Sequence, residues 1–182
     1  DRLRPFVEMM QRREMPEVAT RTFTLHLGRV LAGASGLVTR DEIEPVLELP
    51  DAEAHLFATH DATGRQALGR VVVLKLNGGL GTSMGLERAK SLLEVRDGLS
   101  FLDLIARQVL HLRDATGAAV PLLLMDSFRT AEDSRRVLER YGGLSLPNLP
   151  LGFLQHQVPK VLAACLRPAS SPDDPELAWC PP

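Results

Sequence analysis

The chain has 182 residues, of which 45% are apolar, and a formal net charge of −2 at pH 7. This length allows one sizeable hydrophobic core, and the small net charge gives no support for binding to nucleic acid or to an anionic membrane surface. The two cysteines lack CxxC spacing, and no apolar run approaches the ~20 residues of a transmembrane helix. We therefore expect a cytoplasmic protein without a nucleic-acid or membrane partner.

The first 69 residues predict a helical extension that carries no chemistry of its own. Apolar residues over 6–10 indicate an amphipathic helix, and Pro16 interrupts the pattern because proline lacks a backbone donor. A second helix is predicted through Phe23 and Leu31 and should end near Gly33.

From residue 71 the pattern changes to alternating strands and helices. The apolar run over 71–76 is typical of a buried parallel strand, and four glycines follow it: Gly78, Gly79, Gly81 and Gly85. Glycine lets another molecule lie against bare backbone, and a loop at a strand's carboxyl end can turn N–H groups toward an anion. We interpret this stretch as a phosphate-binding loop. The alternative is a glycine-rich turn without a ligand.

The loop matches neither of the two common nucleotide-binding motifs. A Walker A loop needs a Gly-Lys pair, which the chain lacks, and in the dinucleotide fingerprint Met84 stands where the third glycine belongs. Of the 21 basic residues only three are lysines, and two of these, Lys75 and Lys90, flank the loop. A lysine in this composition suggests a place where a compact ammonium is needed.

The remaining pattern indicates a parallel α/β sheet. The predicted elements are a strand over 92–95, a helix from a capping box at Ser100 and Asp103 to Gly117, a central strand over 120–125, a helix over 131–141 capped by Thr130, and a strand over 151–155. Ligands of such sheets bind beyond the carboxyl ends of the strands. Asn77–Gly81, Asp126-Ser127 and Gln155 all fall at such ends.

Four segments together resemble a known family: Leu76–Gly85 with Lys90 and Ser91, then Val95–Leu104, Val120–Thr130 and Phe153–Lys160. They are similar to the eukaryotic-type UTP–glucose-1-phosphate uridylyltransferases, also called UDP-glucose pyrophosphorylases. The resemblance covers about residues 70–160 of the chain. It departs from the family at Ala89, where proline is usual, and at Asp126, where asparagine is usual.

The resemblance implies a fold and a domain organisation. The fold is an α/β nucleotidyltransferase sheet of the Rossmann-like (GT-A-like) kind, mostly parallel with helices on both faces, and the chain holds this domain only in part. We accordingly predict a helical N-terminal extension over 1–69 and, over 70–182, the N-terminal, nucleotide-binding part of the catalytic domain.

The resemblance also implies an activity: uridylyl transfer from UTP to glucose 1-phosphate with Mg²⁺, giving UDP-glucose and pyrophosphate. The implied nucleotide-binding residues are Leu76, Asn77, Gly78, Gly79, Gly81, Thr82, Lys90 and Gln155. Lys90 would contact the triphosphate as the catalytic residue, and Gln155 would read the uracil edge. The family's histidine for the sugar phosphate and its metal-binding carboxylate have no counterpart in this chain, so no metal ligand is assigned.

Two alternatives stay open at this point. One is a non-catalytic nucleotide-binding module, or a degenerate homologue without the sugar half. The other is a related nucleotidyltransferase for another sugar or base. The resemblance assigns no role to Asp126.

Overall fold

The computed structural model describes residues 2–49, 51, 58–81, 85 and 88–180. In chain order the helices and strands are α1 (Arg4–Arg12), α2 (Glu17–Leu31), α3 (Asp61–Ala67), β1 (Val73–Asn77), β2 (Glu94–Arg96), β3 (Leu99–Ser100), α4 (Phe101–Thr116), β4 (Leu122–Asp126), α5 (Ala131–Leu138), β5 (Gly152–Leu154), β6 (Val158–Pro159) and β7 (Trp179–Cys180). None of the described helices is long and apolar enough to cross a membrane.

The chain divides into two compact units. One combines Asp1–Glu48 with His156–Pro182, and the other is Leu49–Gln155. The predicted domain boundary after residue 69 concerns the whole protein and stays a prediction.

In the first unit, α1 and α2 are separate helices, as the sequence predicts. Pro16 occupies the N-cap position of α2, where its missing N–H would have no helical partner. Phe6 is fully buried and its ring lies 5.5 Å from that of Phe23, while Met10 packs with Ala178 and Trp179. The apolar face of α1 therefore forms the core of this unit.

The second unit contains a parallel sheet of three strands in the order β1-β4-β5. The prediction that the strand near residues 120–125 is central is confirmed. Leu122 and Leu124 point to one face and pack with residues of α4, α5 and the segment after α5: Leu102, Ala106, Val109, Leu138 and Leu144. This cluster is the hydrophobic core that holds the carboxyl ends of the strands in place.

The opposite face of β1 is open in the part of the chain that the structure describes. Leu74 and Leu76 point to that side and are 51% and 63% exposed. Helices α4 and α5 contribute to the core on the other side. The parallel α/β sheet is thus confirmed, and a helical layer over Leu74 and Leu76 stays a prediction.

The strand predicted over 92–95 does not join this sheet, so this part of the prediction is wrong. It lies at Glu94–Arg96 and pairs antiparallel with β3. Asp97 and Gly98 connect the two strands with φ of 55° and 73°, the left-handed conformation that hairpin turns require. Because this turn sends the chain straight back, no helix can follow β2 as in a parallel crossover.

Helix α4 begins at the predicted capping box. The Asp103 amide donates to the Ser100 hydroxyl at 3.2 Å, and the Ser100 amide donates to the Asp103 carboxylate at 2.8 Å. Arg140 and Tyr141 also donate to this carboxylate, at 2.9 and 2.6 Å. The helix ends at Gly117, whose φ of 72° stops it as predicted.

The guanidinium of Arg113 joins the end of α4 to two other segments. It donates to the carbonyl of Val120 before β4 at 2.8 Å, and to the carbonyls of Gly143 and Leu144 after α5 at 2.7 and 3.0 Å. A planar fork with several donors suits this task, because it satisfies three carbonyls at once.

Thr130 precedes α5, but its side chain does not cap the helix, which corrects the prediction. Its hydroxyl instead accepts from the Ser127 amide at 3.0 Å. The helix itself is shorter than predicted and ends at Leu138. The cap is missing because the turn after β4 already uses the threonine oxygen that the first turn of the helix would need.

The capping carboxylate of Asp103 leads to a prediction about acid stability. Burial raises its pKa, but donors from Ser100 and Tyr141 and the charge of Arg140 outweigh burial, so the net pKa lies below its ordinary value. This stabilisation is complete above about pH 4, the unfolded value, and is lost as the pH falls through the folded-state pKa.

We therefore expect Asp103→Asn to lower the free energy of unfolding at pH 7 by about 2–3 kcal/mol, because a cap and charge-assisted hydrogen bonds are lost. The loss should shrink below pH 4, which denaturant titrations at several pH values would measure. Asp114→Asn, in the exposed last turn of the same helix, is the control and should leave the curve unchanged. Equal losses at pH 7 and at pH 3 would contradict the assignment.

Candidate functional site

Three strand ends bring the predicted features together. Asn77 and Asp126 are the last residues of β1 and β4 and lie side by side in register. The backbone N–H of Gln155, one residue after β5, donates to the backbone carbonyl of Asp126 at 2.8 Å. The glycine loop, the end of β4 and Gln155 therefore share one edge of the sheet, where parallel α/β sheets bind ligands.

Gly78 lies directly against the side chain of Gln155. A Cβ atom built on Gly78 would stand 2.5 Å from both the nitrogen and the oxygen of the Gln155 amide. Only glycine fits here while that amide keeps its place. Close approach is thus the reason for this glycine, because positive φ occurs at Gly85 and not at Gly78, Gly79 or Gly81.

The segment with Lys90 runs back along the glycine loop. The backbone N–H of Gly81 donates to the Arg88 carbonyl at 3.0 Å, and the backbone N–H of Lys90 donates to the Gly79 carbonyl at 3.0 Å. Leu80 and Ala89 form an antiparallel bridge between these bonds. The side-chain stem of Lys90 lies over Gly79, with Cδ 3.8 Å from a Cβ built there. The fold therefore places an exposed lysine over Gly79, a loop residue without a side chain.

Four buried polar side chains lie beneath the loop: Asn77, Ser91, Asp126 and Ser134. We call them the buried polar cluster. The Asn77 amide donates to the Asp126 carboxylate at 2.6 Å and to the Ser134 hydroxyl at 2.7 Å, and its oxygen accepts from the Ser91 hydroxyl. Ser134 in turn donates to the Thr130 carbonyl at 2.8 Å. The cluster links β1, β4, α5 and the residue after Lys90.

Asp126 has an unusual electrostatic environment for a carboxylate. Burial raises its pKa above the ordinary value, and the Asn77 amide and the charge of Lys75 offset this only in part. Its second oxygen lies against Gly152, where a built Cβ would be 3.0 Å away. One oxygen of the Asp126 carboxyl group thus accepts from Asn77, and the other occupies space that is left by the missing side chain of Gly152.

The structure places seven of the eight predicted nucleotide-binding residues, and Thr82 lies outside the described residues. Gly78, Gly79, Lys90 and Gln155 lie together at the sheet edge. Leu76 points to the open face of β1 and is 63% exposed. The roles of all these residues in binding remain predictions.

Two of the predicted residues are used inside the fold. The Asn77 side chain engages both of its amide hydrogens and its oxygen with neighbouring side chains, and the Gly81 amide donates to a backbone carbonyl. Sequence reasoning named Ser91 only as part of the family resemblance, without a role, and did not single out Ser134. Ser91 follows the key lysine and could have been suspected from that position, whereas no sequence signal indicated Ser134.

Within the described part of the chain, no three histidine, cysteine, aspartate or glutamate side chains gather into a group that could hold a metal ion. Asp126, which ends β4 beside the start of the loop, is buried and hydrogen-bonded to the Asn77 side-chain amide. These residues therefore do not fit a Mg²⁺ site.

The fold is that of an α/β protein with a parallel sheet, and a glycine loop, a lysine and an amide at one sheet edge are typical of proteins of this class that bind nucleotides. Comparison with known proteins identifies which one. The family model described as UTP–glucose-1-phosphate uridylyltransferase matches residues 21–182. The chain belongs to that family.

Individual relatives agree with the family match. The chain is 43% identical over 120 residues to a UTP–glucose-1-phosphate uridylyltransferase of Pyrus pyrifolia. The aligned region covers 65% of this chain and 25% of the relative. For the Solanum tuberosum enzyme the identity is 37% over 145 residues, covering 78% and 30% of the two chains. The chain thus spans less than a third of these curated relatives.

A solved structure agrees over the whole chain. A variant of UDP-glucose pyrophosphorylase from Leishmania major, in complex with UDP-glucose, superposes with a TM-score of 0.83 at 34% identity. The match covers 100% of this chain and 37% of that one. The chain therefore has the fold of part of a longer enzyme.

The contact between Gly78 and Gln155 leads to a prediction with a built-in control. Gly78→Ala pushes the Gln155 side-chain amide aside and should weaken UTP binding by the full-length protein about tenfold, since the side chain that is predicted to read the base is displaced. Stability should change by no more than about 1 kcal/mol, because a flexible side-chain end can move. Calorimetric titration with UTP measures the affinity.

Gly142→Ala is the control. A Cβ atom built on Gly142, which follows α5 away from the glycine loop, meets no described atom within 4 Å, so the affinity for UTP should stay unchanged. Equal affinity for UTP in Gly78→Ala and in the unchanged protein would show that the placement of Gln155 does not matter for binding.

Proposed function

We propose that the full-length protein transfers a uridylyl group from UTP to glucose 1-phosphate, giving UDP-glucose and pyrophosphate, and that this chain carries the UTP-binding half. The observation that carries the proposal is the meeting of Gly78, Lys90 and Gln155 at one sheet edge. Family membership supports the reaction, and the UDP-glucose bound to the Leishmania major variant supports the substrate class.

Gln155 supports the choice of a pyrimidine base. A carboxamide offers one acceptor and two donors, which match an imide edge that presents both carbonyl oxygen and N–H. Gly78 removes the side chain that would displace this amide. The strand end thus holds a neutral reader of the base beside a bare backbone on which phosphates can lie.

Lys90 supports the transfer step. An oxygen of glucose 1-phosphate attacks the α-phosphorus of UTP, the new P–O bond forms, and the bond from that phosphorus to the bridging oxygen breaks as pyrophosphate leaves. Such reactions ask the protein mainly for positioning and for neutralisation of charge. An ammonium group over the glycine loop can offset the charge that develops on the α- and β-phosphates.

The proposal includes Mg²⁺ as the divalent ion that accompanies the triphosphate in this family. The described residues do not supply a site for this ion. We also propose that the protein acts in the cytoplasm, with UTP and glucose 1-phosphate as its partners and without a nucleic-acid or membrane partner.

The substrate assignment can be tested on the full-length protein. Pyrophosphate release is measured with glucose 1-phosphate and with UTP, CTP, ATP or GTP in turn, and we expect a clear preference for UTP. A preference for a purine triphosphate would overturn the role of Gln155. No release with any nucleotide, together with UTP binding, would favour a non-catalytic nucleotide-binding protein.

We expect Lys90→Ala to lower kcat/KM by about 10²–10³, the loss typical of removing one electrostatic stabiliser of a transition state. Lys90→Arg should restore little, because its stem must pass over Gly79 and a planar fork differs in shape from a compact ammonium. Steady-state kinetics of the full-length protein measure both variants, and Lys75→Ala provides a control at the other lysine beside the loop. Near-normal activity of Lys90→Arg would show that only the charge matters.

A further inference from the structure

The buried polar cluster contains a titratable group to which the proposed mechanism gives no task. Asp126 is 6% exposed, and a buried carboxyl group is costly unless its hydrogen bonds are satisfied. Its donor is the amide of Asn77, the residue that directly precedes the glycine loop. The carboxyl group is therefore connected to the glycine loop through one residue, Asn77.

The second arm of the cluster leads to Lys90. Asn77 has one side-chain oxygen, and it accepts from Ser91, which directly follows the lysine. The remaining amide hydrogen of Asn77 goes to Ser134 on α5. Because the Asn77 amide is held on both sides, its orientation is fixed, and with it the point to which Ser91 is bound.

The backbone completes a closed connection. The backbone N–H of Lys90 donates to the Gly79 carbonyl, and that of Gly81 donates to the Arg88 carbonyl, so main-chain bonds join the two segments. The side chains of Ser91 and Asn77 bond the residues next to them. The lysine segment is thus attached to the glycine loop by both main-chain and side-chain bonds, and a shift of one requires a shift of the other.

We propose that Asp126 and Ser91 are positioning residues, which act through Asn77 to hold the glycine loop and the Lys90 segment in register. This inference rests on the proposed function, because that register matters for the reaction only if Lys90 addresses the nucleotide phosphates. Both residues are buried, so we expect them to act on the substrate through the loop and not by contact. Removing either leaves a buried polar group of Asn77 without its partner and frees the loop to separate from the lysine segment.

Amide hydrogen exchange tests this register without any substrate. In the full-length protein, Ser91→Ala should speed exchange of the Gly81 and Lys90 amides about tenfold, since one buried hydrogen bond no longer opposes local opening. Asp126→Leu should act in the same direction, whereas Asp126→Asn retains an oxygen acceptor for Asn77 and should stay within about twofold.

Ser127→Ala is the matched control, because Ser127 is fully buried at the same strand end but bonds to Thr130 and not to the cluster. A merely structural role predicts that Ser91→Ala and Ser127→Ala change global stability and exchange alike. Positioning predicts faster exchange at Gly81 and Lys90 for Ser91→Ala alone. If Asp126→Leu fails to fold, the comparison of the two serine variants still decides the question.

Kinetics connect the register to the reaction. Ser91→Ala should lower kcat about tenfold with a smaller change in the KM for UTP, because a displaced lysine loses charge stabilisation in the transition state. Unchanged exchange at both amides, or faster exchange with unchanged kcat in an active enzyme, would overturn the proposal. Failure of the proposed function would look different. The protein without any substitution would then show no uridylyl transfer, while Ser91→Ala would still exchange its Gly81 and Lys90 amides faster than Ser127→Ala.

Discussion

The hydrogen bond between Asn77 and Asp126 joins the last residues of two adjacent parallel strands, and the arrangement of the site depends on it. The next residue along one strand is the first glycine of the loop, and the backbone of Asp126 binds Gln155. Burial raises the pKa of this carboxyl group, and a buried carboxyl group without a hydrogen-bond donor is costly, so the fold needs the Asn77 amide at this place. The contact between Asn77 and Asp126 thus lies where the glycine loop begins, where β4 ends and where Gln155 is bound.

The cluster illustrates how buried polar groups give specificity more than stability. Each neutral hydrogen bond adds only about 1 kcal/mol net, whereas a buried group left without its partner costs about 1–3 kcal/mol. No buried side-chain nitrogen or oxygen lacks a partner in the part of the chain that the structure describes. Any other register of the loop would leave at least one member unmatched. The hydrophobic core holds the strands together, and the cluster selects one alignment of their ends.

Sequence reasoning succeeded where local chemistry decides the structure. The capping box at Ser100, the left-handed Gly117 and the apolar strand near residue 122 are each specified by a few neighbouring residues. It failed at β2, because the turn at Asp97 and Gly98 outweighs the apolar residues before it. The site was found at strand ends for the general reason that parallel sheets bind ligands there. The cluster could not be found, since Asn77 and Ser134 are 57 positions apart and meet only after folding.

The choice of lysine at position 90 follows from the space above the loop. Its stem lies over Gly79, which has no side chain, and its own backbone is bonded to that glycine's carbonyl. The backbone is therefore fixed while the ammonium group, at the end of four rotatable bonds, remains exposed. In the proposed reaction this group would follow a phosphate as its charge changes, whereas an arginine would carry the same charge but would need room for a planar fork between loop and ligand. A fixed backbone below a movable charge suits the proposed transfer, because such a reaction needs positioning and charge neutralisation more than covalent chemistry.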